Sequence, residues 1–403
     1  MTTAVLDPEI FGLTESTVTV AYQSTADAGP CEILLDGRVQ TTHFTPGAHL
    51  HRIEGLDADR SYRCRIRPEN GEEAPYDHYF PETVQTLPVP TAEEVATFAT
   101  LNDVHFGEPR VGGQLDKDME YGEEDLPDFP LVRADEEAEP YWQYMNVDAI
   151  AEINAAECDL AIIKGDIANN GEQWQFEAAR EAFDRFSMPH HAFLGNHDYF
   201  ARRRGESIDG YALLGQPAAP RIVELAGWRL ILLETSIPGS DSGAFGAERR
   251  DWLANQLDRT ADDGSPTLLL MHHQPVPQAH AHVFPNTIGI DPADSHALFS
   301  LLGQHPQVRG VLIGHTHKNR VHRYEETGAL PFIEVQCSKD YPGGWARYRL
   351  FADGSFRQEV RRTSTERALR HSSRCSSLFR GGYRAFALGK LHERSFAVAP
   401  QEP

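Results

Sequence analysis

Five short polar clusters, each closing a strand-like run, constrain this chain more than any other feature of its sequence. Asp103-Val-His105 follows Val95-Ala-Thr-Phe-Ala-Thr-Leu101, and Gly165-Asp166 follows Leu160-Ala-Ile-Ile163. Gly195-Asn-His-Asp198 follows Ala192-Phe-Leu194, His272-His273 follows Thr267-Leu-Leu-Leu-Met271, and Gly314-His-Thr-His317 follows Gly310-Val-Leu-Ile313. Short apolar runs bounded by glycine and polar residues read as strands buried on both faces. One such cluster is an ordinary turn. Five at five strand ends, all drawing on Asp, Asn and His, predict one metal site on the rim of one sheet.

Asp103 and His105 are two apart, so at a strand end both side chains leave the same side, and His315 and His317 repeat that spacing. Carboxylate, amide and imidazole donors without a thiol suit a borderline-hard divalent ion such as Mn, Fe, Zn or Co.

Helical and strand patterns alternate around these clusters in the α/β manner. Helical spacing covers Tyr141–Glu157, Glu172–Phe186, Ala247–Leu257 and His296–Gln304. Arg221–Leu225 and Trp228–Leu233 read as a hairpin across Ala226-Gly227, and Pro331–Gln336 and Ala346–Phe351 as antiparallel strands around Gly343-Gly344. Residues 107–140 form a long segment rich in Gly, Pro and acidic residues, either a lid or substrate loop or a solvated insert.

With 403 residues the chain is expected to hold more than one domain, divided as 1–90, 91–360 and a basic C-terminal tail 361–403. The tail is rich in Arg and Ser, and is expected either to dock on the acidic body or to stay mobile. A net charge of −23 argues against nucleic acid or an anionic membrane as partner. No window has the apolar length of a membrane span and no signal peptide is evident. The five scattered cysteines form no C-x-x-C pair and read as reduced thiols in a cytoplasmic protein, with a Cys31–Cys64 pairing left open. Assembly as a homo-oligomer is also left open.

Residues 1–90 read as strands separated by turns. Leu56 stands six residues before Tyr62, which opens the alternating strand Tyr62-Arg-Cys-Arg-Ile66. That pattern resembles the tyrosine corner of a fibronectin type III or immunoglobulin-like sandwich. Residues 81–90, with Pro81, Pro88 and Pro90, read as a linker.

In order and without a missing block, the five clusters resemble the signature of the calcineurin-like metallophosphoesterases over roughly residues 95–345. The resemblance implies an all-β N-terminal sandwich followed by an α/β catalytic domain, a four-layer α/β/β/α sandwich with two divalent metal ions at its strand ends. Carried over by motif, Asp103, His105, Asp166 and His317 bind the first ion. Asp166 bridges to the second, completed by Asn196, His272 and His315. His197 is implied to be the catalytic imidazole rather than a ligand, with the adjacent Asp198 holding it. Such a pair of ions, roughly 3.5–4 Å apart, clamps a phosphoryl group.

The β-domain ahead of the catalytic one looks like purple acid phosphatases. Those carry a Tyr where this chain has Asn169, and lack the first-block His that is His105 here, so a ferric-tyrosinate site is not expected. His272-His-Gln-Pro-Val276 resembles the His-His-x-Pro block of class III cyclic-nucleotide phosphodiesterases and glycerophosphodiesterases. The expected activity is therefore hydrolysis of a small-molecule phosphodiester. The alternatives are a phosphomonoesterase of the purple-acid-phosphatase type and an interaction protein with a vestigial site.

Overall fold

Every residue of Leu160–Lys164 is buried, so this strand has no solvent face and must lie inside a covered sheet. The computed structural model describes residues 4–112, 130–278 and 288–400 and sets that strand among the elements below.

The first seven strands are β1 (Val5–Leu13), β2 (Val18–Ser24), β3 (Cys31–Leu35), β4 (Arg38–His43), β5 (Gly47–Ile53), β6 (Ser61–Pro68) and β7 (Thr83–Gln85). They form a three-stranded sheet, β1-β2-β5, and a four-stranded one, β4-β3-β6-β7. Tyr62, Cys64, Ile66 and Pro68 are buried while Ser61, Arg63 and Arg67 are exposed, the period-two pattern of a half-buried strand. Ile10, Val18, Val20, Ile33, Tyr62 and Ile66 belong to one buried cluster drawn from both sheets. The Asp57 backbone N–H donates to the Tyr62 hydroxyl at 2.7 Å. Within the stretch read as a linker, Thr83–Gln85 pairs with β6. All five cysteines are free and buried.

The chain continues through β8 (Glu94–Leu101), β9 (Arg110–Gly112), β10 (Leu131–Arg133), α1 (Tyr141–Ala155), β11 (Leu160–Lys164), α2 (Gln173–Phe183), β12 (His190–Phe193), α3 (Gly210–Leu214), β13 (Arg221–Leu225) and β14 (Trp228–Leu233). Then come α4 (Gly246–Asp263), β15 (Thr267–Met271), α5 (Pro292–Leu302), β16 (Val308–Ile313), β17 (Arg320–Arg323), β18 (Pro331–Glu334), β19 (Gly344–Phe351) and β20 (Phe356–Arg362). The last elements are α6 (Glu366–Ser376), α7 (Gly382–Ala387), α8 (Leu391–Arg394) and β21 (Ser395–Val398).

Two six-stranded sheets result, β12-β11-β8-β19-β20-β21 and β13-β14-β15-β16-β18-β17. Alternate residues of the strands divide between cores, as the period of two demands. Phe98, Ile162, Phe193 and Tyr348 of the first sheet share a cluster with Leu230, Leu232, Leu268, Leu270, Leu312 and Ile333 of the second. On the other face of the first sheet, Ala99, Leu101 and Ile163 pack with Ile150, Ile153, Phe176 and Phe183 of α1 and α2. On the other face of the second, Ile231, Leu269, Met271 and Val311 pack with Leu253, Leu257, Leu298 and Phe299 of α4 and α5. The molecule is thus mixed α/β with several sheets. Among the described residues no helix is long and apolar enough to cross a membrane.

The pairing expected around Gly343-Gly344 needs correction. Pro331–Glu334 and Gly344–Phe351 are not partners: β18 pairs with β16 and β17, whereas β19 crosses to the other sheet and runs antiparallel to β8. The glycines between them serve a crossover rather than a hairpin. Of the two expectations for the tail, residues 366–398 follow docking. β21 pairs with β20, and Arg367, Arg370 and Arg374 of α6 pair with Glu139, Glu137 and Glu136. Those carboxylates of the acidic segment therefore answer α6. The ends of that segment form the ribbon β9-β10, and the lid reading for its residues 113–129 lies outside the described residues.

Buried and half-buried charges also join the first seven strands to the rest. Glu9 accepts from the Tyr341 hydroxyl and from Arg362, both at 2.9 Å. Arg52 pairs with Glu359, and Arg349 with Glu15 at 2.6 Å.

Candidate metal centre

Backbone bonds carry the two sheets beyond their last ladder pairs and bring the polar clusters together. Asp103 N–H donates to the Gly165 carbonyl at 3.2 Å, His105 N–H to Asp166 at 3.0 Å, and Gly314 N–H to His272 at 3.1 Å. The first sheet delivers Asp103 and His105 after β8, Asp166 after β11 and Asn196 after β12. The second delivers His272 after β15, and His315 and His317 after β16.

All seven of these side chains are buried. His105 Nε2 lies 3.2 Å from His317 Nε2 and 3.8 Å from Asp166 Oδ2. His317 Nε2 lies 3.5 Å from Asp103 Oδ1. The other Asp166 oxygen, Oδ1, is 3.2 Å from His272 Nε2, which in turn is 3.1 Å from Asn196 Oδ1. Asp166 therefore faces a different histidine with each oxygen. His315 donates its backbone N–H to both Asp103 oxygens, at 2.9 and 3.0 Å, and its ring Nε2 meets the Ile288 carbonyl. Ligand atoms close enough for one ion occur in Asp103–His105–His317, in Asp103–Asp166–His272, and in His105–Asp166–His197. They occur also in His272–His273–His315.

Close approach explains the glycines. A Cβ on Gly195 would stand 2.2 Å from Asp166 Oδ1, and one on Gly165 2.5 Å from His272 Nδ1.

Charge agrees with a cation site. Burial alone would raise Asp166, yet His272 and His197 hold it well below the usual carboxylate range. Burial opposes a charge on His272, but Asp166 and Asp103 push its pKa up to about 9. His317 is likewise held well above its ordinary value against burial, with Cys337, Asp103 and Asp340 responsible. The carboxylates thus draw positive charge inward. Two imidazole Nε2 atoms facing each other at 3.2 Å share a hydrogen bond only if one carries a proton, whereas both can give a lone pair to one ion. Among the described residues, His105 Nδ1 and Asn102 Oδ1 are buried without a hydrogen-bond partner. Donors of this kind fit divalent ions, and nothing in the set resists them.

His197 differs from the ligand candidates in being only partly buried. Its backbone N–H donates to Asp166 Oδ1 at 2.9 Å, its Nδ1 meets the Asn169 carbonyl at 2.8 Å, and its ring stands edge-on to His105. Asp198 does not hold this ring, contrary to the sequence expectation. Its carboxylate accepts three backbone N–H groups, from Ile167 and Ala168 on Oδ1 and from Gly195 on Oδ2, at 2.7–2.9 Å. Adjacent residues on a tight turn point apart, so neighbours in sequence need not be neighbours in space. The group that orients His197 is a main-chain carbonyl, which no side-chain motif reveals.

A buried network behind His317 lies outside the five clusters. Cys337-Ser-Lys-Asp340 follows Pro331–Gln336 just as the five clusters follow their runs, and the same signal marks it. Lys339 pairs with Glu108 at 2.7 Å and with Asp340 at 3.3 Å.

The chain matches the model of the calcineurin-like phosphoesterase family over residues 96–319. It is 30% identical over 211 residues to a probable cyclic nucleotide phosphodiesterase of Synechococcus sp., covering 52% of this chain and 78% of that one. It is 32% identical over 160 residues to the 3',5'-cyclic adenosine monophosphate phosphodiesterase CpdA of Pseudomonas aeruginosa, covering 40% and 54%. Among solved structures, a dimetal phosphatase from Danio rerio superposes with a TM-score of 0.47 at 14% identity, over 67% of this chain and 97% of that one.

Proposed function

The chain belongs to the calcineurin-like phosphoesterase family and is a hydrolase of phosphate esters, and from that premise we propose that it cleaves a small-molecule phosphodiester at two divalent ions. One observation carries the reading: Asp166 turns one oxygen towards His105 and the other towards His272, as a carboxylate shared by two ions would. Asp103, His105, Asp166 and His317 would hold the first ion. Asp166, Asn196, His272 and His315 would hold the second. Two divalent ions, when bound, supply Lewis acidity towards the phosphoryl oxygens and acidify water.

The chain's own groups do the rest. The Asn169 carbonyl keeps a proton on His197 Nδ1, which makes Nε2 the nitrogen that exchanges one with the leaving oxygen. Asp198 staples the loops after β11 and β12 and so sets the place of Asp166 and Asn196. A homovalent ion pair is favoured, since Asn169 supplies no phenolate. Diester preference is supported by the phosphodiesterase names of the relatives and by the His272-His-Gln-Pro block.

The seven leading strands, with Tyr62 tied to Asp57, support a fibronectin type III-like sandwich over residues 1–90, ahead of a four-layer α/β/β/α domain over 91–360 and a C-terminal segment 361–403. Such a sandwich is what would favour the second reading, a monoesterase. Free cysteines throughout support a cytoplasmic setting.

The test is metal analysis of the purified chain followed by turnover of bis(p-nitrophenyl) phosphate and p-nitrophenyl phosphate. Two equivalents of metal and a higher kcat/KM for the diester are expected. A higher kcat/KM for the monoester selects the second reading, and no turnover of either ester at full metal loading removes both.

A further inference from the structure

We propose that Asp340 is a positioning residue that orients His317 and raises its basicity towards the first ion, an inference that rests on reading His317 as a ligand. The His317 ring divides its two nitrogens between two environments. Nε2 faces Asp103 and His105, whereas Nδ1 lies 3.4 Å from Asp340 Oδ2. Asp340 is wholly buried and held from three further sides. Cys337 Sγ donates to Oδ1 at 2.7 Å, the Tyr383 hydroxyl to Oδ2 at 2.8 Å, and Lys339 Nζ to Oδ2 at 3.3 Å. A carboxylate so clamped cannot swing away from the ring it faces.

Lys339 is one ammonium between two buried carboxylates, Asp340 and Glu108. An imidazole bound to an ion through Nε2 offers its Nδ1–H to such an acceptor, which fixes the tautomer and strengthens the metal bond. The network also reaches the other ligand loop. Glu108 donates its backbone N–H to the His105 carbonyl at 3.1 Å, so Lys339 ties the His105 loop to the carboxylate behind His317. Tyr383 comes from α7, which brings the C-terminal segment into the support of the centre.

The experiment is Mn2+ binding to the full chain, by chelator competition, for wild type, Asp340→Asn and Tyr383→Phe. Asp340→Asn should weaken one of two Mn2+ equivalents by roughly 10–100-fold and leave the other unchanged. Its phosphodiester turnover should fall at limiting Mn2+ and recover in excess. Wild-type affinity at both sites, with only a lower Tm of the metal-free protein, would mean that Asp340 is structural and overturn the proposal. Should Asp340→Asn fail to fold, Tyr383→Phe keeps the carboxylate but loosens it, and a several-fold loss at one equivalent alone is expected; no loss overturns the proposal. A wild-type chain that binds two Mn2+ but hydrolyses neither ester refutes the proposed function and not this inference, whereas one that binds no Mn2+ refutes both.

Discussion

Asp103, His105, Asp166, His315 and His317 all have positive φ, between 40° and 66°, a region that L residues seldom occupy. Asp and His tolerate it better than most, but each such residue costs about 1–3 kcal/mol and persists only where its surroundings dictate it. Together these costs are of the order of a domain's whole net stability of about 5–15 kcal/mol, so bound ions should contribute visibly to folding. Stripping the metals with a chelator is expected to lower Tm by on the order of 5 °C, and adding Mn2+ back to restore it; calorimetry showing no shift would count against ions at these residues. Gly195→Ala places a methyl group against Asp166 Oδ1 and should release both ions together, read by metal content, while the circular dichroism spectrum stays that of a folded protein. His197→Ala should keep both ions and lose on the order of 10²–10⁴ in kcat. Loss of metal in that variant would make His197 a ligand.

At the scale of elements, the strands and helices that carry the site are legible because each is set by local pattern. The hairpin β13-β14 turns where Ala226-Gly227 predicts it, and α1, α2, α4 and α5 fall on the helical spacings within a few residues, α4 running on to a left-handed Gly264 cap. Pairing was less legible because it is non-local. Nothing in Gly344–Phe351 says that its partner is β8 rather than the nearby β18, since both are apolar strands of suitable length. The same holds for the site. Residue types and strand ends foretell which side chains converge, but the hold on His197 by a carbonyl and the place of Asp340 behind His317 depend on how loops cross. β21 is the edge of the first sheet, and its Ser395 hydroxyl accepts the Leu13 N–H at 3.0 Å. Deleting residues from 395 onward should therefore uncover β20 and loosen β1 as well; hydrogen exchange confined to β20 would show that β1 is held without it.

Across the whole molecule, carboxylates of one part meet arginines of another. Burial would raise Glu359, yet Arg361 and Arg52 hold it below the usual range, and Glu15 is lowered in the same way by Arg349 against its own burial. A depressed folded pKa adds stability above the unfolded value, and that stability is lost as pH falls through the folded one. Tm should thus drop below about pH 4.3, and Glu359→Gln should drop less over that window; parallel curves would mean that the pair contributes nothing. The first sheet has one more consequence, for how the protein is made. β8 (94–101) lies beside β19 (344–351), and Asp340 is braced by Tyr383, so the support of the earliest ligands is synthesised well after the ligands themselves. A chain truncated after residue 340 would contain every metal-binding side chain yet have no finished sheet beneath Asp103. It should remain open to protease and bind Mn2+ weakly, so that the ions are acquired only once the residues after 340 have been added.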